Sequence, residues 1–303
     1  MKLGLLNFGD DFANRKRLFL FWHSEVLFDT LGCINLPETQ SMTKLHILPF
    51  LIAWLFVALP HSAVAQHSNN CLFGCPDGTP AENQVVDRSI YTLSNNPVTK
   101  FADWVAYRVE IDNLAGPSRA RNWAIDPVIS KSDTISPDEY KYMFDLLGMD
   151  RGHQAPLAAF KGHDDWRMTN FLSNITPQSS QLNQGPWKKL EGAVRELASA
   201  SGEDVFVLTG PLYEWQMLRL PATDKDHVVP SGYWKIVAVK IEGGIKTSSF
   251  YFYQSTPRYA DYCDHMRSIN FIEAKAGLDF FPELTDQDTL EASSSMLIGE
   301  LGC

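Results

Sequence analysis

A nearly unbroken apolar stretch over residues 45–59 divides this chain of 303 residues. Lys44 precedes the stretch, and the small residues Ala63 and Ala65 follow it. This order is typical of a secretory signal peptide, and about fifteen apolar residues are fewer than the roughly 20 that span a bilayer. We therefore expect residues 42–65 to be a cleaved signal peptide, with an uncleaved membrane anchor as the alternative.

Residues 1–41 precede that segment, although an export signal normally begins a chain. We interpret them as a non-native upstream extension from a misplaced gene start, with translation beginning at Met42. Residues 66–303 contain no repeat, no long linker and no charge block. Their continuity predicts a single domain.

Four cysteines lie in that predicted domain: Cys71, Cys75, Cys263 and Cys303. An even number of cysteines in an exported chain indicates disulfides, and four allow three pairings. We expect Cys71–Cys75, which closes a short local loop, and Cys263–Cys303, which ties the end of the chain to its body. A zinc site at Cys71 and Cys75 is the alternative, but it lacks a second nearby Cys/His pair.

The composition is that of a folded chain, because 45% of the residues are hydrophobic and only 20% are charged. Apolar patterning predicts strands over 105–111, 204–209, 233–241 and 248–254, and helices over 137–147 and 186–200. Strands separated by helices and long loops, without a regular βαβ order, indicate an α+β fold. The lack of a glycine-rich phosphate loop excludes nucleoside-triphosphate chemistry.

A short window contains an imidazole, a cation and amide side chains, the groups that metal-assisted cleavage of a phosphodiester needs. Asp150-Arg151-Gly152-His153 begins the window, and Asn174 and Asn183 follow. His153 lies in a polar, turn-prone run, and an imidazole that titrates near neutrality is suited to take a proton from water. A lone histidine is more often structural, so the window alone leaves both interpretations open.

Asn183 offers a neutral amide oxygen to magnesium, a hard cation that keeps most of its waters. Its position just before residues 184–186 also suits an N-cap of the next helix, and position alone favours capping. On that helix, Glu191 and Arg195 are four residues apart and share a face. Glu191 would hold a metal-bound water while Arg195 faces a phosphate; a surface salt bridge between the two is the alternative.

Two further guanidiniums, Arg119 and Arg121, lie beside Trp123. Arginine pairs with phosphate oxygens in a fork geometry and stabilises the charge that builds on a reacting phosphate. Both are therefore candidates for substrate binding. The alternative is a solvated loop with Trp123 in the core.

Several motifs occur in a fixed order along the chain. The central ones are residues 150–156 (DRGHQAP), 170–178 (NFLSNITPQ) and 182–187 (LNQGPW) with Leu190-Glu191. Residues 100–107 and 121–123 precede them, and residues 209–213 (TGPLY) and 230–235 (PSGYWK) follow. Together they resemble the secreted DNA/RNA non-specific endonucleases of the His-Me finger (ββα-metal) group, relatives of mitochondrial endonuclease G. The resemblance covers nearly all of 70–303 and none of 1–41.

The resemblance implies a catalytic role for each matching residue. His153 would be the general base that activates water. Asn183 would be the direct ligand of one magnesium ion, with manganese as a substitute, and Glu191 would hold the hydration shell of that ion.

The same resemblance assigns the remaining polar residues of the motifs to the substrate. Arg121 would stabilise the transition state, and Arg151 and Arg195 would support phosphate binding. Asn174 would organise the pocket around the histidine.

The implied protein is a secreted or periplasmic enzyme whose nuclease domain spans 66–303. Its fold would be a central antiparallel sheet flanked by helices, with a ββα element carrying the histidine and the metal ligand. It would cut single- and double-stranded DNA and RNA, leave 5′-phosphorylated ends, and have no membrane attachment after signal cleavage. A non-catalytic nucleic-acid-binding protein of the same fold is the alternative. A homodimer and an inhibitor protein of unknown identity remain open.

The formal net charge of −10 opposes binding to a phosphate polymer. Residues 1–65 carry five basic and five acidic side chains, so the charge stays in the rest of the chain. We expect a local positive cleft, because distant charges are screened within about 10 Å at 0.1 M salt. Its expected members are Arg119, Arg121, Arg151, Arg195, Lys188 and Lys189. Binding should weaken as the salt concentration rises.

Overall fold

The computed structural model describes residues 68–242, 244–285 and 297–303. The predicted upstream extension and signal peptide, residues 1–65, lie outside the described residues. Within them the strands are β1 (Gln84–Asp87), β2 (Thr92–Asn95), β3 (Ala102–Val109), β4 (Met149–His153), β5 (Ile175–Ser179), β6 (Val205–Leu212), β7 (Gly232–Ile241) and β8 (Gly244–Tyr253). The α-helices are α1 (Ile111–Leu114), α2 (Met143–Leu147), α3 (Ser180–Leu182), α4 (Lys188–Ser201) and α5 (Ile269–Ala276).

Six strands form one antiparallel sheet in the order β1-β2-β3-β6-β7-β8. Its side chains alternate between two faces, as the pleat requires. On β3, Val105 and Tyr107 belong to the core that α4 covers, whereas Trp104 and Ala106 belong to the core that α5 covers. The predicted α+β fold, a central antiparallel sheet flanked by helices, is confirmed. Because both faces are covered, the central strands are apolar almost throughout.

β4 and β5 form a second, two-stranded antiparallel sheet. A third apolar cluster packs around it, with Met149 and Ile175 from the two strands and Tyr140 and Met143 from the segment before them. After β5 the chain enters α3, a π-helical turn (Asn183–Trp187) and then α4. Two strands and a helix therefore follow one another around the predicted site.

The predicted helix over 137–147 is broken. The structure has a 3₁₀ turn over Pro137–Tyr140 and then α2, because Tyr142 adopts a left-handed conformation with φ 61°. The predicted end of β6 at residue 209 is also wrong, since the strand continues through Gly210 and Pro211. A Cβ at position 210 would lie 2.2 Å from the carbonyl oxygen of Asp103, so glycine there permits close strand packing and does not mark a turn.

The structure contains the two expected disulfides, Cys71–Cys75 and Cys263–Cys303. The alternative of a zinc site at Cys71 and Cys75 is therefore wrong. In the described part of the chain, none of the helices has the length and apolarity needed to cross a membrane.

Candidate active site

His153 is the last residue of β4 and lies opposite Ile175 on β5. The preceding Gly152 lets the two strands close, because a Cβ there would lie 2.6 Å from the Cβ of Gln178. His153 consequently reaches the surface at the end of a strand whose partner strand leads into the helical segment with Asn183. A cavity of about 820 Å³ opens at this point, and both residues line it.

Asn174 lies behind the cavity and is fully buried. Its Nδ2 donates to the carbonyl oxygens of Ala155 and Thr169, both at 2.9 Å, and its Oδ1 accepts from the N–H of Ala155 at 2.8 Å. These bonds tie the chain after His153 to the chain before β5. Asn174 is therefore a positioning residue, and the structure does not place it among the residues that line the cavity.

The His153 imidazole is half-buried, and its Nε2 has no hydrogen-bond partner among the described residues. The ring of Trp123 lies beside it, with 5.3 Å between ring centroids. Burial, reinforced by the nearby Arg121 cation, lowers the pKa of His153 from 6.5 to about 4. The imidazole is neutral at pH 7, which is the form that accepts a proton.

Asn183 is not an N-cap, so the capping interpretation is wrong. Its backbone is helical, with φ −58° and ψ −46°. Its Nδ2 donates to Oδ2 of Asp150 at 2.8 Å, and Gln184 Nε2 donates to the same oxygen at 2.8 Å. Ser180 holds the other carboxylate oxygen at 2.8 Å. Because the amino group of Asn183 faces Asp150, its amide oxygen points away from Asp150 and is left for another partner.

Glu191 lines the same cavity, one turn into α4. Lys235 of β7 is fully buried below it, with its Nζ 4.3 Å from the ring centroid of Trp187. Burial raises the pKa of Glu191 and lowers that of Lys235, and the opposite charge of each opposes the shift of the other. Among the ion pairs of the described residues, none joins Glu191 to Arg195. The salt-bridge alternative is therefore wrong.

The predicted arginines separate into two groups. Arg121, Arg151 and Arg195 line the cavity. Arg119 does not: its Nε donates to the carbonyl oxygen of Lys161 at 2.8 Å, and its guanidinium lies 4.9 Å from the ring centroid of Trp166. The prediction that Arg119 contacts substrate has no support in this geometry, because a cation–π contact and a backbone contact hold the side chain elsewhere.

The expected positive cleft is present, with some changes of membership. Lys188 lines the cavity and Lys189 does not, while Lys141 and Arg258 line it without having been predicted. The wall thus carries six cationic side chains, Arg121, Lys141, Arg151, Lys188, Arg195 and Arg258, against three carboxylates, Asp145, Asp150 and Glu191. A locally positive field therefore exists in an acidic chain.

Several residues that shape the site are not predicted from the sequence. Asp150 stands in the motif but was not singled out, and Lys235 lies far from the motif. Asn170 is buried, and its Nδ2 donates to the carbonyl oxygen of Ala120 at 3.3 Å, which fixes the loop that carries Arg121. Trp123 is half-buried: it packs against the third apolar cluster and also lines the cavity beside His153, so the alternative that placed it in the core is correct only in part.

The donor chemistry of the cavity fits a hard divalent cation. An anchored amide oxygen and a carboxylate are oxygen ligands of the kind that magnesium takes while keeping most of its waters. Among the described residues, no three His, Cys, Asp or Glu side chains are grouped to hold a metal by themselves. The set therefore suits a hydrated ion bound by few protein atoms.

The chain is similar to known nucleases in sequence and in fold. Residues 69–287 match the profile of the DNA/RNA non-specific endonuclease family. A nuclease of Serratia marcescens is 41% identical over 257 residues, which are 84% of this chain and 96% of that protein. Mitochondrial endonuclease G of Bos taurus is 29% identical over 229 residues, 68% of this chain and 72% of the relative. A chain in the crystal structure of the EndoG/EndoGI complex is similar in fold, with a TM-score of 0.58 and 22% identity over 70% of this chain and 90% of its own length.

Proposed function

The chain belongs to the DNA/RNA non-specific endonuclease family, and from that premise we propose a magnesium-dependent, secreted or periplasmic phosphodiesterase with His153 as its general base. It cuts DNA and RNA, single- and double-stranded, and leaves 5′-phosphorylated ends. Residues 66–303 form the nuclease domain. The observation that carries the proposal is that a neutral imidazole, an amide anchored by Asp150 and six cations share one cavity.

The neutral ring of His153 takes the proton of the attacking water. Arg121 stabilises the negative charge that grows on the reacting phosphate, and Arg151 and Arg195 bind the phosphates of the strand. Asn183 would hold magnesium directly and Glu191 would hold it through water; when bound, the ion supplies positive charge that stabilises the phosphate and the departing oxygen. Asn174 keeps His153 in place through the backbone.

Contacts of this kind reach the backbone of the nucleic acid and few base edges. Phosphate contacts carry no sequence information, so the enzyme cuts without regard to sequence. Both disulfides favour an oxidising compartment, which supports export. Binding of an inhibitor protein and formation of a homodimer remain predictions.

The function is tested with the full chain, exported to an oxidising compartment and purified. Plasmid DNA, single-stranded DNA and RNA are incubated with the protein and magnesium, and with magnesium plus chelator. All three should be degraded to 5′-phosphorylated fragments, and the chelator should stop the reaction. The intact mass of the purified protein tests whether the signal peptide is removed after residue 65. Degradation that persists in chelator would contradict the proposed metal requirement. A complete absence of degradation would contradict the proposed nuclease function.

The pH dependence follows from the lowered pKa of His153. A general base works only when neutral, so the rate falls as pH falls through the pKa of the base. With a pKa of about 4, the acidic limb of kcat/KM should lie near pH 4. An unperturbed histidine would place it near 6.5. Initial rates from pH 3.5 to 8 at constant salt measure the limb, and thermal melting at each pH separates it from unfolding. A midpoint near 6.5 would show that the imidazole is not held neutral.

A further inference from the structure

Two exposed aromatic side chains line the same cavity as the catalytic groups. Tyr142 is 63% exposed and Phe144 is 61% exposed, and both belong to the cavity wall. They lie at the start of α2, the short helix that precedes β4. We call them the aromatic platform.

The two rings of the aromatic platform are not stacked on other rings in the described part of the chain. Among the described residues, neither ring packs against another aromatic ring. Trp123 and Trp215, in contrast, each lie against another ring, that of His153 and that of Tyr253 respectively. The faces of Tyr142 and Phe144 therefore remain open to a ligand.

The backbone conformation at Tyr142 positions the aromatic platform. Tyr142 has φ 61° and ψ 0°, the left-handed region that non-glycine residues rarely adopt. Immediately after it, α2 begins, and the helix ends at Gly148, whose N–H donates to the carbonyl oxygen of Phe144 at 2.9 Å. This turn breaks the helix that the sequence predicts and places two exposed rings, two residues apart, on the wall of the cavity.

The charge around the platform identifies its ligand class. Lys141, next to Tyr142, lines the cavity, and so does Arg151 on the strand that follows. An open aromatic face beside a positively charged groove is the arrangement that binds single-stranded nucleic acid, because the cations follow the phosphates while the bases stack on the rings.

We propose that Tyr142 and Phe144 form a base-stacking subsite for unpaired nucleobases of the substrate strand. The inference rests on the proposed function and extends it. The subsite binds without regard to base identity, because every base has a π-face. It favours strands with accessible bases, since the faces of paired bases in a duplex are covered by their neighbours. Single-stranded substrate therefore gains a contact that intact duplex lacks.

The test compares strands with and without bases. The full chain carrying His153→Ala, which stops cleavage, is titrated in magnesium with a fluorescent single strand and with an abasic strand of the same length and charge. The intact strand should bind roughly ten- to a hundred-fold more tightly, the range that stacking of one base provides. Adding Tyr142→Ala and Phe144→Ala should remove most of that difference. Binding of the abasic strand and of duplex DNA should change less than threefold.

The matched control is Leu146→Ala, which removes a 68% exposed apolar side chain of the same helix that does not line the cavity. It should leave the preference for the intact strand unchanged. Equal losses on the intact and abasic strands, or no loss on either, would overturn the subsite. So would sedimentation showing that the aromatic substitutions dissociate a dimer, because the platform would then bind a second copy. Cleavage by the chain with His153 intact is measured separately: cleavage without base preference rejects the subsite alone, and absence of both cleavage and binding rejects the proposed function.

Discussion

Replacing His153 with alanine should lower kcat/KM on DNA and RNA by about two to four orders of magnitude, the usual contribution of a general base. The imidazole is held neutral at the end of β4, in a cavity whose other groups are cations, carboxylates and amides. Of the groups that line the cavity, it is the best suited to accept a proton near neutral pH. The measurement is initial cleavage of a fluorescent oligonucleotide at saturating magnesium.

Controls separate catalysis from folding. His163→Ala removes a histidine whose Nδ1 accepts from the N–H of Asp165 and which does not line the cavity, so activity should stay within about twofold of the parent. The His153→Ala protein should keep its circular dichroism and bind substrate, because Asn174, not His153, joins the surrounding segments. If it cleaved as fast as the parent while folded, another group would have to be the base.

The local motifs allowed much of this site to be predicted from the sequence. His153, Asn183, Glu191 and Arg195 lie within about 45 residues of one another, on β4 and on the helical segment that follows β5. Within such a short segment, the spacing of residues along the chain determines which side chains line the same wall of the cavity. Glu191 and Arg195, which are four residues apart on α4, line the same cavity for that reason.

Contacts between distant segments could not be predicted in this way. Arg119 and Arg121 are two residues apart, yet only Arg121 lines the cavity. The difference depends on Asn170, which binds the carbonyl oxygen of Ala120, and on Trp166, which lies against the Arg119 guanidinium. Lys235 and Glu191 affect each other's pKa although they lie on separate elements, β7 and α4. Contacts that depend on the order of strands in the sheet produce no periodic pattern in the sequence.

At two places the observed backbone conformation differs from the one that the local sequence predicts. The segment 137–147 has a helical pattern, but Tyr142 interrupts it with a left-handed backbone. Gly210 and Pro211 are typical of a turn, but the close approach of Asp103 keeps them in β6. At Gly210, packing against β3 decides the conformation that the sequence pattern alone leaves open.

Replacing Asn183 with alanine should raise the magnesium concentration needed for half-maximal activity by more than about 100-fold. The removal of an outer-shell partner alone typically costs 10- to 100-fold in metal affinity, and a direct ligand should cost more. Asp150→Ala, which releases the amide of Asn183, should give the smaller loss of about 10- to 100-fold. Direct binding of Mn²⁺, followed by electron paramagnetic resonance, measures the same loss independently of turnover.

Gln184→Ala is the matched control, because Gln184 and Asn183 donate to the same oxygen of Asp150 at the same distance of 2.8 Å. If Asn183 acted only by holding Asp150, the two alanine variants would behave alike. If its amide oxygen binds the ion, Gln184→Ala should change the metal requirement by less than about threefold, since an exposed hydrogen bond contributes little. Equal losses in the two variants would therefore contradict a metal ligand at Asn183, because among the described residues both side chains donate to Asp150.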